Sequence, residues 1–212
     1  MESLARALRD RTKVLHTEAE RTGAMQALLR GDLALPTYRE LLRNLHAVYA
    51  AMEPALRRHA GEASIAPLFD ATLFRADALA ADLRVLGDSS ADSALPLRPA
   101  TLAYVRRLRE IDAGAPGLLA AHAYVRYLGD LSGGQILARV VTRAYGLAPG
   151  RGTRFYDFGA PDQVAAKVEA FRRGLDALPC DAAGASTIVD EACWAFERHT
   201  ELFTQLAVPA GC

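Results

Sequence analysis

Three glycines fall within six residues, Gly129, Gly133 and Gly134, inside a stretch that otherwise reads as helix from Gly117 to Tyr145. Leu118, Leu119, Ala121 and Tyr124 enter it, and Ile136, Leu137, Val140, Val141 and Ala144 leave it at helical spacing. A glycine in a helix interior costs about 1 kcal/mol relative to alanine, so local propensity opposes the surrounding pattern. Either the helix breaks at Gly133-Gly134, or two helices cross there through small residues. The other solution is a helix that bends and lays a backbone without Cβ atoms directly on a flat, bulky ligand. Asp130 lies among the glycines, one turn beyond Arg126, where a buried carboxylate needs partners.

The rest of the chain is helical in pattern. Ala5, Leu8, Thr12, Leu15 and Ala19 mark an amphipathic helix over residues 2–20 that stops near Gly23. A helical turn at 25–29 precedes a long helix that opens at Pro36 and carries Tyr38, Leu41, Leu42, Leu45, Val48, Tyr49 and Met52. Pro54 is expected to kink or end it, with any continuation fading by Gly61. A further apolar pattern runs from Leu68 to Leu86 and closes at Gly87, and residues 88–99 read as a loop rich in Asp, Ser and Pro. Helices are also expected over 101–111, 163–178 and 186–206, with an irregular, aromatic-bearing connection at 148–162. No run alternates as a half-buried strand does and no repeat is evident, so the expected architecture is all-α, one domain over residues 1–212.

Composition narrows the function. With 51% hydrophobic residues, 24% charged, and 25 basic against 25 acidic side chains, the chain suits neither disorder nor a polyanion partner, and nucleic acid is not expected. No run approaches the roughly 20 apolar residues that span a bilayer, so no membrane anchor is expected. Cys180, Cys193 and Cys212 form an odd set without metal-ligand spacing, and no signal-peptide pattern precedes the first helix; both point to a reducing cytoplasm.

Arg9, Lys13, His16 and Glu20 line one stripe of the first helix, spaced by four, three and four residues. A solvated helix face has the same look. The specific content is His16 followed one turn later by Glu20, since a carboxylate there can orient one imidazole nitrogen and leave the other for a metal. Zinc is a poor fit because the five histidines lie far apart and no cysteine completes a tetrahedral set. Haem iron needs one protein ligand on such a helix, and a haem would also account for the glycines and for a basic stripe able to pair with propionates. His46 and His122 read as packed or surface histidines and not as ligands, His59 beside Arg57 and Arg58 as solvated, and Trp194 as a core or surface-packing residue.

The string AHAYVRYLGDLSGGQ, ending at Gln135, closely resembles the signature of the haem oxygenases, and TKVLHTEAE at 12–20 resembles the family's N-terminal histidine segment. HAVYAAME at 46–53, FRRGLDAL at 171–178 and DEACWAFERHTELF at 190–203 also match, in the same order, so the resemblance covers nearly the whole chain. It implies a single helical domain with haem sandwiched between a proximal N-terminal helix and a glycine-kinked distal helix. By the same resemblance His16 is the axial iron ligand, Glu20 its hydrogen-bonding neighbour, and Gly129 and Gly133 the glycines that touch haem, with Gly134 extending a flexible turn. Asp130 is implied as the distal carboxylate, with Tyr49 and Arg126 in its network; Lys13 and Arg172 bind propionates, Arg9 adds a basic group, and Tyr124 lies at the propionate edge. Two positions depart from the pattern: His199 stands where the family often has asparagine, and Val168 where a basic residue is common, although Lys167 is adjacent.

The implied reaction cleaves haem, both cofactor and substrate, with O2 and electrons from an external reductant through a ferric hydroperoxide, giving biliverdin, carbon monoxide and ferrous iron. A ferredoxin or flavoprotein reductase is the implied electron donor. The resemblance is compatible with two uses of the product, iron acquisition and bilin supply for an acceptor such as a phytochrome. Haem storage or transfer without cleavage is the competing function; it would use His16 and the basic rim but would not need Gly129, Asp130 and Gly133.

Overall fold

The computed structural model describes residues 3–87 and 96–207, which form nine α-helices and no strand among them. They are α1 (Leu4–Glu20), α2 (Gly23–Arg30), α3 (Leu35–Arg58), α4 (Ala76–Val85), α5 (Pro99–Gly114), α6 (Leu119–Ala123), α7 (Gly129–Ala144), α8 (Pro161–Asp176) and α9 (Ala182–Ala207). The helices expected over 2–20, 101–111, 163–178 and 186–206 are all present with ends shifted by a few residues. Most of the expected 88–99 loop, residues 88–95, lies outside the described residues.

One continuous core joins the layers, and its largest fully buried side chains include Tyr38, Leu41, Leu42 and Met52 of α3, Tyr104 of α5, and Leu8 of α1. Alongside α9 lie α1, α2, α5 and α6, and α3 packs on α4 and α5. By contrast α1 and α7 do not pack closely on one another; α2 touches both. The space between α1 and α7 is where the site lies.

One expectation is met and two need correction. Pro54 lies inside α3, which continues to Arg58 and stops before Gly61, within the expected limit; Ala55 and Leu56, just beyond the proline, are fully buried while the proline ring is exposed. Burying a leucine is worth about 1.5–3 kcal/mol, comparable to the cost of a mid-helix proline. The pattern from Leu68 to Leu86 is not one helix: two short 3-10 turns, Ala66–Leu68 and Ala71–Leu73, precede α4. Here α8 crosses so closely that a Cβ on Gly174 would run into the Pro67 carbonyl, Asp70 accepts the Thr72 N–H, and the Arg75 guanidinium donates to the carbonyls of Thr72, Leu73 and Phe74. Those bonds take up carbonyls that a helix would have used. Gly87 does follow α4 in the left-handed conformation, as expected.

The second correction concerns the glycine-rich helix. Its irregular turn is not at Gly133-Gly134, which stay in regular α7, but one turn earlier, where Tyr124–Leu128 form a π-helical turn. Gly129 itself has helical angles, φ −62° and ψ −49°. A π turn is a recognised source of helix bending, and this one precedes the glycines.

Candidate active site

The cleft between α1 and α7 has two ends that share His16, Val125, Gly129, Ser132 and Phe196. The outer end, about 350 Å³, is polar: Arg6, Arg9 and Tyr124 line it with Arg172 and Asp176 of α8. The inner end, about 260 Å³, is walled by Met25, Leu29, Ile136, Leu137 and Phe203 and closed by Arg126, Asp130 and His199. A flat molecule with an apolar body and anionic tails matches this polarity.

The glycines shape one wall. A Cβ built on Gly129 or Gly133 would meet nothing within 4 Å, so both present bare backbone to open space in the cleft. Gly134 does something else, which corrects its expected role: it is buried, and a Cβ there would lie 3.3 Å from the Tyr156 carbonyl oxygen. Its missing side chain lets α7 pack on the 3-10 turn Arg154–Tyr156 and does not face the cleft. The glycine cost of α7 is offset in part by Leu131 and Val141, both buried on the same helix.

On the opposite wall, His16 is about half exposed and sets its ring edge-on to Phe196, centroids 5.9 Å apart. Its Nδ1 lies 3.8 Å from Glu20 Oε2, within ion-pair range but too long for the hydrogen bond expected of that pair. Tyr124 is held by Thr12, whose Oγ1 lies 3.1 Å from the tyrosine hydroxyl and donates to the Leu8 carbonyl at 2.7 Å. Arg9 reaches the cleft but pairs with Asp10 at 2.9 Å, and Asp10 is thereby held below the usual carboxylate range. Lys13 is exposed on the Arg9 and His16 side of α1 and does not line the cleft. At the Val168 position the aliphatic side chain packs on the core, so its helix contributes only Arg172 and Asp176 to the rim.

At the closed end Tyr49, Arg126 and Asp130, remote in sequence apart from the last two, form one buried network. The Tyr49 hydroxyl donates to Asp130 Oδ2, Arg126 Nη2 donates to Asp130 Oδ1 at 2.8 Å, and Arg126 Nε donates to the Tyr49 oxygen at 3.0 Å. Burial pushes the Asp130 carboxyl above its ordinary range despite the opposing pull of Arg126 and the Tyr49 hydroxyl. The Tyr49 hydroxyl is driven well up for the same reason, so it stays a donor. A buried carboxyl with a raised affinity for protons, beside a guanidinium that fixes its direction, can hold a proton and release it into the cleft.

Sequence reading missed Arg6, Phe196 and Thr12. Arg6 extends the Arg9 and Lys13 stripe by one turn and was legible on that ground; Phe196 and Thr12 match an ordinary helix core and carry no separate signal. The other histidines divide. His122 is fully buried as expected, between Tyr104 Oη at 2.9 Å and Glu191 Oε1 at 3.1 Å, with Trp194 packed on the same rings. His46 is half-buried, and its burial lowers its affinity for protons. His59 is not solvated: its ring bridges Glu62 at 2.5 Å and Asp112 at 3.0 Å, because the α3 terminus meets the end of α5. Cys180 and Cys193 are free thiols.

The cleft suits haem on its own geometry. Among the described residues no three His, Cys, Asp or Glu side chains gather as a metal cage. The His16 imidazole, a wall of bare backbone and an arginine-lined mouth fit a group that brings most of its iron ligands with it.

Comparison with known proteins gives the same result from outside. The family model described as "Heme oxygenase" matches residues 2–205. "Heme oxygenase 1" of Nostoc sp. is 40% identical over 204 residues, covering 96% of this chain and 86% of that protein. Two solved structures superpose with a TM-score of 0.90: heme oxygenase from Leptospira interrogans, 36% identical, covering 96% of this chain and all of that one, and heme oxygenase-1 from Synechocystis sp. in complex with heme, 38% identical, covering 97% and 92%. With a buried Tyr49–Arg126–Asp130 network on one side of the cleft, His16 on the other, and family similarity along nearly its whole length, the chain belongs to the heme oxygenase family.

Proposed function

We propose that the α1/α7 cleft binds haem and that this chain opens the ring with O2 and external electrons, releasing biliverdin, carbon monoxide and ferrous iron. Haem, when bound, supplies the iron that activates dioxygen and the porphyrin that is consumed. His16 would hold the iron through an imidazole nitrogen, with Glu20 near enough to bias its ring. The guanidinium groups of Arg9 and Arg172, with Tyr124, hold the propionates, and Lys13 adds positive charge outside them. Gly129 and Gly133 let the α7 backbone lie against the ring. Asp130, oriented by Arg126 and Tyr49, would deliver protons into the cleft.

The observation that carries this reading over haem storage is Asp130. A carrier has no need of a buried carboxyl locked by an arginine and a tyrosine at the closed end of the pocket. A ferredoxin or flavoprotein reductase supplies the electrons, and the free thiols suit the reducing cytoplasm. The bilin goes either to iron recovery or to an acceptor such as a phytochrome. Among the described residues no helix is long and apolar enough to cross a membrane.

A single-turnover assay tests this. One equivalent of haemin is bound, reductant is added in air, and the pigment is identified by chromatography. Wild type is expected to lose the Soret band and yield biliverdin, whereas Asp130→Ala keeps haem but forms little or none, a loss of about 100-fold or more if Asp130 is the proton donor. A wild-type oxy or ferric complex that never opens would return the protein to haem storage.

A further inference from the structure

His199 is the second imidazole in the cleft, and no role in ligation falls to it. It is 3% exposed, projects from α9, and lines the closed end with Arg126 and Asp130. Its Nε2 lies 3.5 Å from Arg126 Nη1. Arginine has only donors, so Nε2 must present its lone pair and any ring proton must sit on Nδ1. Burial, followed by the nearby charges of Arg126 and His122, holds the imidazole well below the usual histidine range, which keeps it neutral. Tyr104 flanks the ring at 5.0 Å and Phe203 at 6.2 Å, leaving little room for rotation.

The Arg126 guanidinium therefore meets three acceptors in three directions: Tyr49 through Nε, Asp130 through Nη2 and His199 through Nη1. We propose that His199 is a positioning residue, the third acceptor that fixes the plane of the Arg126 guanidinium and so holds Asp130 in its proton-delivering orientation. It comes from a different helix than Arg126, Asp130 and Tyr49, so it ties the network to α9. A buried guanidinium N–H that loses its acceptor must find another, and the nearest way is to turn the plane that now serves Asp130.

The role separates from mere packing by two replacements. His199→Phe keeps an aromatic ring between Tyr104 and Phe203 but offers no lone pair; His199→Gln loses the ring and keeps an acceptor oxygen. In haem-free protein the Arg126 Nε–H signal, assigned with Arg126→Lys, is expected to shift and exchange faster in His199→Phe and to return towards wild type in His199→Gln. The haem complex supplies a second readout that rests on the function proposed above: His199→Phe is expected to slow single turnover about tenfold, the loss of one hydrogen bond to a charged group, with haem affinity kept within about twofold. His199→Gln is expected to recover most of that rate. An unaltered Arg126 signal in folded His199→Phe would overturn the assignment, as would equal loss in both variants. Failure of wild type to bind or open haem would instead count against the function while leaving the haem-free result intact.

Discussion

Gly133 and Gly134 are adjacent, cost the helix the same in local terms, and serve different ends. Beyond Gly133 lies open cleft; against Gly134 lies the Tyr156 carbonyl. Alanine at 133 should fold at least as well as wild type, gaining up to about 1 kcal/mol in a denaturant titration from restored helix propensity. It should weaken haem about tenfold, since a methyl group then stands where the ring must approach. Alanine at 134 should give the opposite pair of results: a loss of about 1–2 kcal/mol, because backbone at Tyr156 has to move, and haem affinity within about twofold of wild type. Equal effects on affinity would mean that both glycines face the ligand. Sequence alone assigned both to the same turn, because a missing side chain does not record which neighbour required its absence.

Among the helices, α3 carries the clearest conflict between local rule and outcome. Pro54 lacks the N–H that would bond the Ala50 carbonyl, yet the helix runs through it to Arg58. Its ring is exposed, so Pro54→Ala restores that bond without opening a cavity and should raise stability by about 1–3 kcal/mol, read as a higher denaturant midpoint at unchanged m-value. A lower midpoint would mean that the proline shapes the path of α3. The long helices were legible because each alternates apolar and polar residues at helical spacing, a property of one segment. The 68–75 segment was not, although its apolar residues fit a helix, because Gly174 and the Arg75 guanidinium act on it from outside the pattern.

Glu53 binds the molecule together across elements. From α3 its carboxylate accepts the backbone N–H groups of Arg75 and Ala76, which open α4, and the Tyr127 hydroxyl of the π turn at 3.4 Å. Burial, outweighing these bonds, raises its pKa to about 7 from an ordinary 4.5. Between those values the folded protein binds more protons than the unfolded chain, so this group's contribution is full below pH 4.5 and is lost as pH rises through 7. The loss amounts to up to about 3 kcal/mol at 1.36 kcal/mol per pH unit. Glu53→Gln, neutral throughout, should show a flatter dependence of unfolding free energy over that window; parallel curves would place the pH dependence elsewhere.

What the sequence by itself determined is what one segment can encode: an all-α chain, the run of amphipathic helices, the His16 and Glu20 stripe, and the Arg126, Asp130 and glycine cluster. The family resemblance reached further and placed Tyr49 with Asp130, as the hydrogen bonds do. Tertiary structure alone decided that the irregular turn precedes the glycines, that Gly134 serves packing, that Lys13 stays outside the cleft and that His199 faces Arg126. Each of these depends on atoms brought close from distant parts of the chain, and helical periodicity specifies which face of a helix is buried without specifying what that face will meet.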